Sequence, residues 1–151
     1  MKVLTEGGIK MTTINPYLTF DGNCEEVFNF YKSVFGGEFL IVSRFKDTPS
    51  EQPLSKSEGE KIMHVALPVG KGNILMGSDR PEVVGKAIVG NNIAISINAE
   101  SEEEATRLFN GLSKGGKVTM PLDKTFWGAY FGMWIDKFGV HWMVSYEYPK
   151  K

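Results

Sequence analysis

The sequence predicts an α+β fold in which paired βαβββ modules form a curved, eight-stranded mixed sheet around a concave pocket. One helical pattern occurs twice, at residues 21–37 and 100–116, which indicates an internal repeat. A strand-like run precedes each copy, and three such runs follow it. Because a helix covers only one face of its sheet, the other face is left to line a pocket for a small molecule.

The first helix is predicted from the stretch DGNCEEVFNFYKSVFGG, residues 21–37. Asn23 and Glu26 have the spacing of a capping box at its start. The glycine pair at residues 36–37 supplies a left-handed stop at its end. An apolar stripe with helical spacing predicts the face that packs on the sheet. This stripe contains Val27, Phe30, Tyr31 and Val34.

The second helix, ESEEEATRLFNGLSKGG at residues 100–116, repeats each of these features. Ser101 and Glu104 form the capping pattern, and the glycine pair at residues 115–116 ends the helix. The matching apolar stripe contains Ala105, Leu108, Phe109 and Leu112.

The strands are predicted from β-type runs that flank the helices. In the first module they are residues 14–20, 38–45, 61–70 and 73–79, and in the second 92–98, 116–122, 131–136 and 140–147. We expect residues 12–85 to form the first module and residues 86–148 the second, together making one domain. Residues 1–11 are expected to be an N-terminal extension.

The composition is that of a globular protein and argues against several classes of function. The 17 Lys and Arg nearly balance the 18 Asp and Glu, so charge gives no reason to expect nucleic acid as a partner. No apolar run approaches the roughly 20 residues of a membrane helix, so no membrane partner is expected either. The single cysteine, Cys24, excludes an internal disulfide, and a cytoplasmic location is expected.

The last strand holds one of the two histidines, His141, on the same face as Glu147. Six residue steps of about 3.3 Å place them about 20 Å apart along a regular strand. Metal ligands lie within roughly 2–2.6 Å of the ion. These two side chains therefore cannot share one metal.

Three longer stretches resemble a known family. They are PYLTFDGNCEEVFNFYKSVFGG, MHVALPVGKGNILMGSD and TFWGAYFGMWIDKFGVHWMV. With these motifs the chain is similar to the vicinal oxygen chelate (glyoxalase/bleomycin-resistance) superfamily, in its PhnB-like branch, over residues 12–148. The resemblance implies a glyoxalase-like fold. Members of this superfamily often pair their modules between two chains. Membership alone does not fix the function.

The resemblance also implies four positions at which metal-dependent members place their ligands. In this sequence those positions carry Asn15, Met76, Asn92 and Met143. Neutral amides and thioethers are poor ligands for Zn, Mn, Ni or Fe(II). We therefore predict no metal and no cofactor.

The candidate ligand-binding residues are those that alternation and the resemblance direct towards the pocket. Alternation also predicts that Ile14, Leu18 and Phe20, and likewise Ile93, Ile95 and Ile97, pack on the helices. The candidates are Asn15, Tyr17, His64, Met76, Asn92, Ser96, Trp127 and Met143. No catalytic residue is assigned.

Several of these residues allow two interpretations. His64 is either a hydrogen-bonded structural histidine or a general base or polar anchor in the pocket wall. Phe126 and Trp127 either close over a planar ligand or plug the core or a subunit interface. Cys24 lies near a helix N-terminus, where the dipole could lower its pKa, but a structural thiol is favoured.

These features predict a small-molecule-binding, PhnB-like protein with a degenerate metal site. An enzymatic activity on an unknown substrate remains open. One alternative is a metal-free, ligand-sequestering protein resembling the bleomycin-resistance proteins. Another is a metal-dependent lyase, isomerase or dioxygenase of the superfamily. We expect a homodimer whose pocket takes residues from both subunits.

Overall fold

The computed structural model describes residues 12–49 and 53–150, so the predicted extension at residues 1–11 lies outside the described residues. The first module consists of β1 (Tyr17–Phe20), α1 (Cys24–Phe35), β2 (Ile41–Arg44), α2 (Lys56–Glu60), β3 (Ile62–Val69) and β4 (Asn73–Asp79). The second consists of β5 (Ile95–Asn98), α3 (Glu102–Ser113), β6 (Lys117–Lys124), β7 (Ala129–Ile135) and β8 (His141–Glu147). Apart from α2 the order is βαβββ, twice.

The strands form two four-stranded mixed sheets with the same topology. The strand order is β1-β4-β3-β2 in the first sheet and β5-β8-β7-β6 in the second. In each sheet the first strand of the module runs parallel to the last, and the other pairs are antiparallel. The α+β class and the repeated module are therefore confirmed. The predicted single sheet of eight strands is not seen, because no described strand of one sheet pairs with a strand of the other.

The modules are joined through their helices rather than through strand edges. The aromatic ring of Tyr31 on α1 contacts Trp142 of the second sheet edge-on, with 5.3 Å between ring centroids. Val34 of α1 lies against Gly111 of α3, where an added Cβ would come within 3.0 Å of the valine. One continuous apolar core results, because α1 packs on its own sheet and on the neighbouring module.

Both long helices begin where their capping patterns predict, but only one of the two predicted side-chain caps forms. The Ser101 hydroxyl accepts a hydrogen bond from the Glu104 amide at 3.0 Å, as its capping pattern predicts. The Asn23 side chain caps nothing. Instead, the carboxylate of Asp79 at the end of β4 accepts from the amides of Gly22 and Cys24, both at 2.9 Å. Asp79, which is distant in sequence, therefore accepts the hydrogen bonds at the start of α1 that Asn23 was predicted to accept.

Two predicted strands begin later than expected, and this changes the position of two isoleucines. The strands start at Tyr17 and Ile95, so Ile14 and Ile93 precede them. Both were expected to pack on the helices, but their exposed fractions are 93% and 77%. Leu18, Phe20, Ile95 and Ile97 do belong to the core or pack against it.

The segment at residues 46–60 was expected to be a loop, and the structure differs there as well. It contains the end of a short 3-10 turn (Phe45–Asp47) and then α2. The hydroxyl of Ser55 caps α2 by accepting from the amide of Glu58 at 3.1 Å. Among the described residues no helix is both long and apolar enough to cross a membrane.

Candidate functional site

Each sheet has one face covered by a helix and a second face that we call its open face. In the first sheet, Gly77 points towards α1, because an added Cβ would lie 2.6 Å from the ring of Phe28. Side chains alternate along a strand, so Met76 and Ser78 point the other way. The cross-strand partners of Met76 are Tyr17 and Ala66, which therefore share its open face.

Tyr17 and His64 form a pair on the open face of the first sheet. The phenol oxygen of Tyr17 lies 3.3 Å from Nδ1 of His64. The two rings are stacked, with centroids 5.7 Å apart and planes inclined by 19°. When the ring carries its proton on Nε2, Tyr17 donates to Nδ1 and Nε2–H is left to donate to a ligand. Both interpretations of His64 remain compatible with this contact.

Ser43 lies beside this pair. It is the antiparallel partner of His64 between β2 and β3, so both side chains point to the open face. Its buried hydroxyl makes no hydrogen bond within residues 12–49 and 53–150. His64 therefore has the hydroxyl groups of Tyr17 and Ser43 beside it on the open face.

Asn15 holds the edge of the same sheet. It precedes β1, and its side-chain oxygen accepts a hydrogen bond from the amide of Ile74 at 3.1 Å. No local sequence signal marks this role of Asn15, because Ile74 is 59 positions away. The amide oxygen of Asn15 is thus already in use as a structural acceptor.

The open face of the second sheet carries a row of sulfur-containing side chains. Met143 of β8 is the cross-strand partner of Ser96 on β5 and of Met133 on β7. Met133 is in turn the partner of Met120 on β6. The opposite face holds Trp134 and Trp142, whose stacked rings are buried and whose planes differ by 3°.

Trp127 lies in the turn between β6 and β7, at the end of this open face. Its ring contacts Phe131 of β7, with centroids 5.8 Å apart, and Phe126 at 5.0 Å. Phe126 is 97% exposed and Trp127 is 57% exposed, so neither plugs the core of this chain. The two remaining interpretations are a cover over a ligand and a subunit contact.

Comparison with known proteins establishes the family. Residues 12–145 match the family described as 3-demethylubiquinone-9 3-methyltransferase. Protein YjdN of Escherichia coli (strain K12) is 30% identical over 140 residues, which is 87% of this chain and 93% of YjdN. The chain belongs to this family.

Solved structures agree with that assignment. Protein PA1353 from Pseudomonas aeruginosa is 44% identical, with a TM-score of 0.80 over 91% of this chain and 98% of that one. The PhnB protein from Bacillus cereus, also described as a 3-demethylubiquinone-9 3-methyltransferase, is 28% identical, with a TM-score of 0.67 over 89% and 99% of the two chains. A glyoxylase/bleomycin resistance protein/dioxygenase domain from Frankia sp. EAN1pec, 10% identical, shares the fold, with a TM-score of 0.66 over 94% and 96%. The resemblance to the PhnB-like branch of the vicinal oxygen chelate superfamily is confirmed.

The side chains of this PhnB-like chain do not suit a divalent metal. The four positions implied by the superfamily hold Asn15, Met76, Asn92 and Met143, and Asn15 already accepts a backbone hydrogen bond. Within residues 12–49 and 53–150, no three His, Cys, Asp or Glu side chains are placed to share an ion. Zn, Mn, Ni and Fe(II) prefer imidazole and carboxylate donors, so no such site fits here.

The structure brings only some of the predicted site residues together. Tyr17, His64 and Met76 share the first open face, and Ser96 and Met143 share the second. Asn92 is exposed and precedes β5 by three residues. A cavity of about 170 Å³ exists, but it lies behind the first sheet, where Phe28, Ile62 and Val65 line it, and not on an open face.

Cys24 is buried in the core of the PhnB-like chain, at the first residue of α1. Burial, and then the negative charge of Asp79, raise the pKa of its thiol. A buried, protonated thiol is structural and is a poor nucleophile.

Proposed function

We propose that this PhnB-like protein binds a small molecule against its open faces without a divalent metal ion. The observation that carries the proposal is the Tyr17–His64 pair, a stacked and hydrogen-bonded unit on the face of the first sheet opposite α1. A pocket of this kind needs mostly apolar walls and a few polar groups that fix the orientation of the ligand. The first open face supplies the polar groups, and the second supplies adaptable methionines.

The chemistry of these side chains indicates the class of ligand. Around His64 the open face carries the hydroxyls of Tyr17 and Ser43 and the thioether of Met76. These groups favour a molecule that is mainly apolar and carries one hydrogen-bonding substituent. Trp127 would add a stacking surface, which suits a planar ligand.

The pocket would be completed by a homodimer. Tyr17, Met120 and Trp127 remain substantially exposed in one chain, so one chain does not enclose a pocket at its open faces. Pairing the first open face of one subunit with the second open face of its partner would bury both. In this arrangement the protein could sequester its ligand, as the bleomycin-resistance alternative implies.

A second candidate function is metal-independent catalysis by proton transfer. The hydrogen bond between Tyr17 and Nδ1 of His64 favours it, because this bond occupies Nδ1 and leaves Nε2 to exchange a proton with a ligand. For the metal-dependent lyase, isomerase or dioxygenase alternative, residues 12–49 and 53–150 offer no group of three His, Cys, Asp or Glu side chains placed to share an ion. The methyltransferase in the family's description is not supported by any residue constellation in this sequence.

The test is a search for stabilising ligands in the presence of excess EDTA. Planar aromatic compounds with one polar substituent would be screened by the rise in melting temperature. Trp127 provides a second signal, because Trp134 and Trp142 are buried and its fluorescence alone should respond strongly. Reaction products would be sought by mass spectrometry with the wild type and with His64→Gln.

Matched variants locate the binding site. Tyr17→Ala should weaken binding, because it removes both the ring and the phenol of the pair. Tyr146→Phe is the control, since that ring packs against the core rather than on an open face. The proposal fails if no compound stabilises the protein, or if Tyr17→Ala leaves the affinity unchanged. A product that disappears with His64→Gln would favour catalysis over sequestration.

A further inference from the structure

Three of the seven methionines lie in one lateral row across neighbouring strands. Met143 pairs with Met133 between β8 and β7, and Met133 pairs with Met120 between β7 and β6. Directly paired residues of adjacent strands point to the same face of a sheet. Trp134 and Trp142, the next residues along β7 and β8, point to the core, so the three thioethers lie on the open face.

The spacing of the row allows the three sulfur atoms to converge. Neighbouring strands lie about 4.8 Å apart, so Met133 is in the middle, with one methionine on each side. A methionine side chain is unbranched and has three rotatable bonds, so the outer two can lean towards the central one. In a single chain Met120 is exposed and Met133 and Met143 are half-buried, which leaves their side chains room to move.

The side chains next to the methionine row favour the binding of a cation. His141 precedes Met143 by two residues on the same strand face, so its imidazole is within reach of the row. Phe131 likewise precedes Met133 by two residues on one strand face, and its ring can interact with a cation. Asp123 is the cross-strand partner of Phe131 and adds a negative charge.

We propose that Met120, Met133 and Met143, with His141 beside them, bind one soft monovalent cation of the Cu(I) class. Thioethers select soft ions, and imidazole is compatible with them, whereas divalent Zn, Mn and Fe prefer donors that this chain lacks at its sites. Of these three methionines only Met143 stands at a position where the resemblance implies a metal ligand, so the row is a different site on the same sheet. This inference does not depend on the small-molecule ligand proposed above.

The test is a titration of the whole protein with Ag(I), a soft monovalent ion that undergoes no redox change, followed by NMR of the methionine methyl groups. We expect the methyl signals of Met120, Met133 and Met143 to shift together and to saturate at one ion per chain. The signals of Met63 and Met76, on the other sheet, should not move. Competition with a Cu(I) chelator under reducing conditions would then give the affinity for Cu(I).

A conservative variant separates sulfur chemistry from packing. Exchanging Met for Leu nearly conserves volume and typically costs less than about 1.5 kcal/mol, so Met133→Leu should remain folded. It should abolish the joint shift of Met120 and Met143, whereas Met63→Leu should leave it intact. Cys24 stays in every variant, so any contribution from its thiol is the same throughout.

Three results would overturn the proposal. The first is that Ag(I) leaves the methyl signals of the row unshifted. The second is that these signals shift no more than those of Met63 and Met76. The third is that the signals of Met120 and Met143 shift equally in Met133→Leu. Circular dichroism of Met133→Leu shows whether a lost signal reflects a lost fold. If that variant is unfolded, His141→Ala takes its place and should weaken the saturable binding.

Discussion

Asp136 is a buried residue that links the two modules. Its buried carboxylate accepts from the phenol of Tyr31 at 2.6 Å and from the indole nitrogen of Trp142 at 2.9 Å. It also accepts from the amides of Phe138 and Val140 at 2.9 and 3.0 Å. Tyr31 belongs to the first module and the other partners to the second, so one side chain connects the two modules.

Removing this carboxylate should be costly. Asp136→Ala leaves two buried and two part-buried donors without their acceptor, and we expect the free energy of unfolding to fall by at least about 3 kcal/mol. Urea unfolding followed by circular dichroism measures the change. Asp123→Ala, at an exposed position, is the control and should stay within about 0.5 kcal/mol of the wild type. Equal effects of the two variants would contradict this role of Asp136.

Two buried acids predict how stability depends on pH. Burial, and then Asp136, raise the pKa of Tyr31, and burial raises that of Cys24. Their ordinary values are 10.0 and 9.0, so the unfolded chain ionises first as the pH rises. Each group therefore stabilises the fold fully below its ordinary pKa, and that contribution is lost as the pH rises above it.

The alkaline fall in stability should be visible in urea unfolding from about pH 7 to about pH 11. Tyr31→Phe lowers stability at neutral pH, because it removes the hydrogen bond to Asp136, but it also removes one ionisable group. Its free energy of unfolding should therefore fall less steeply above about pH 9. A slope as steep as that of the wild type would show that Tyr31 is not responsible.

At the level of single residues, the sequence predicts which face of a strand a side chain occupies but not its contacts with distant residues. Alternation along strands correctly placed Leu18 and Phe20 towards the core, and it correctly paired Ser96 with the face of Met143. It could not foresee that Asn15 bonds to Ile74 or that Asp136 receives Tyr31, because both partners are distant in sequence. Such contacts are decided by tertiary packing.

At the scale of elements, the two long helices start in different ways. Ser101 caps α3 through its own hydroxyl, whereas the start of α1 is held by Asp79 of β4. Local sequence at the two starts is similar, so the capping pattern alone did not distinguish them. The tie from β4 to α1 fixes the helix against the first sheet.

This difference leads to a prediction for two matched variants. Ser101→Ala should lower the free energy of unfolding by about 1 kcal/mol, because the Glu104 amide loses its acceptor. Asn23→Ala should change it by less than about 0.5 kcal/mol, since that side chain caps nothing. Thermal or urea unfolding of both proteins measures the effects. An equal loss in the two variants would contradict the assignment of the caps.

Most elements could be predicted because their signals are local. Period and turn residues located both long helices and all eight strands to within a few residues. The short helix α2 was missed, because KSEGE has no apolar stripe and its start is marked only by Ser55. The starts of β1 and β5 were predicted too early. The predicted strands included Ile14 and Ile93, which are apolar but do not pair with a neighbouring strand.

At the scale of the whole molecule, the repeat gives two sheets that meet through their helices. The sequence showed that two modules exist but not which surfaces join them, because α1 is apolar towards its own sheet and also presents Tyr31 and Val34 to the second module. The open faces are therefore left available on the outside of the chain. This arrangement makes a second copy the natural source of the missing pocket wall.

The chain should accordingly form a homodimer. Beyond the open faces, the linker between the modules exposes a further set of apolar side chains, which a partner could cover: Val83, Val84, Ile88, Val89 and Ile93. Sedimentation equilibrium should give twice the mass of one chain. A monomer at every concentration tested would contradict the dimer and would leave each open face without a partner.

The central claim is that the open faces serve a small molecule and that no divalent metal is involved. The most direct measurement is elemental mass spectrometry of the purified, tag-free protein after dialysis against mixed divalent ions. The account predicts far less than one Zn, Ni, Mn or Fe per chain, because Asn15, Met76, Asn92 and Met143 provide neither imidazole nor carboxylate. One tightly held divalent ion per chain would contradict it and would point to a site built around His64.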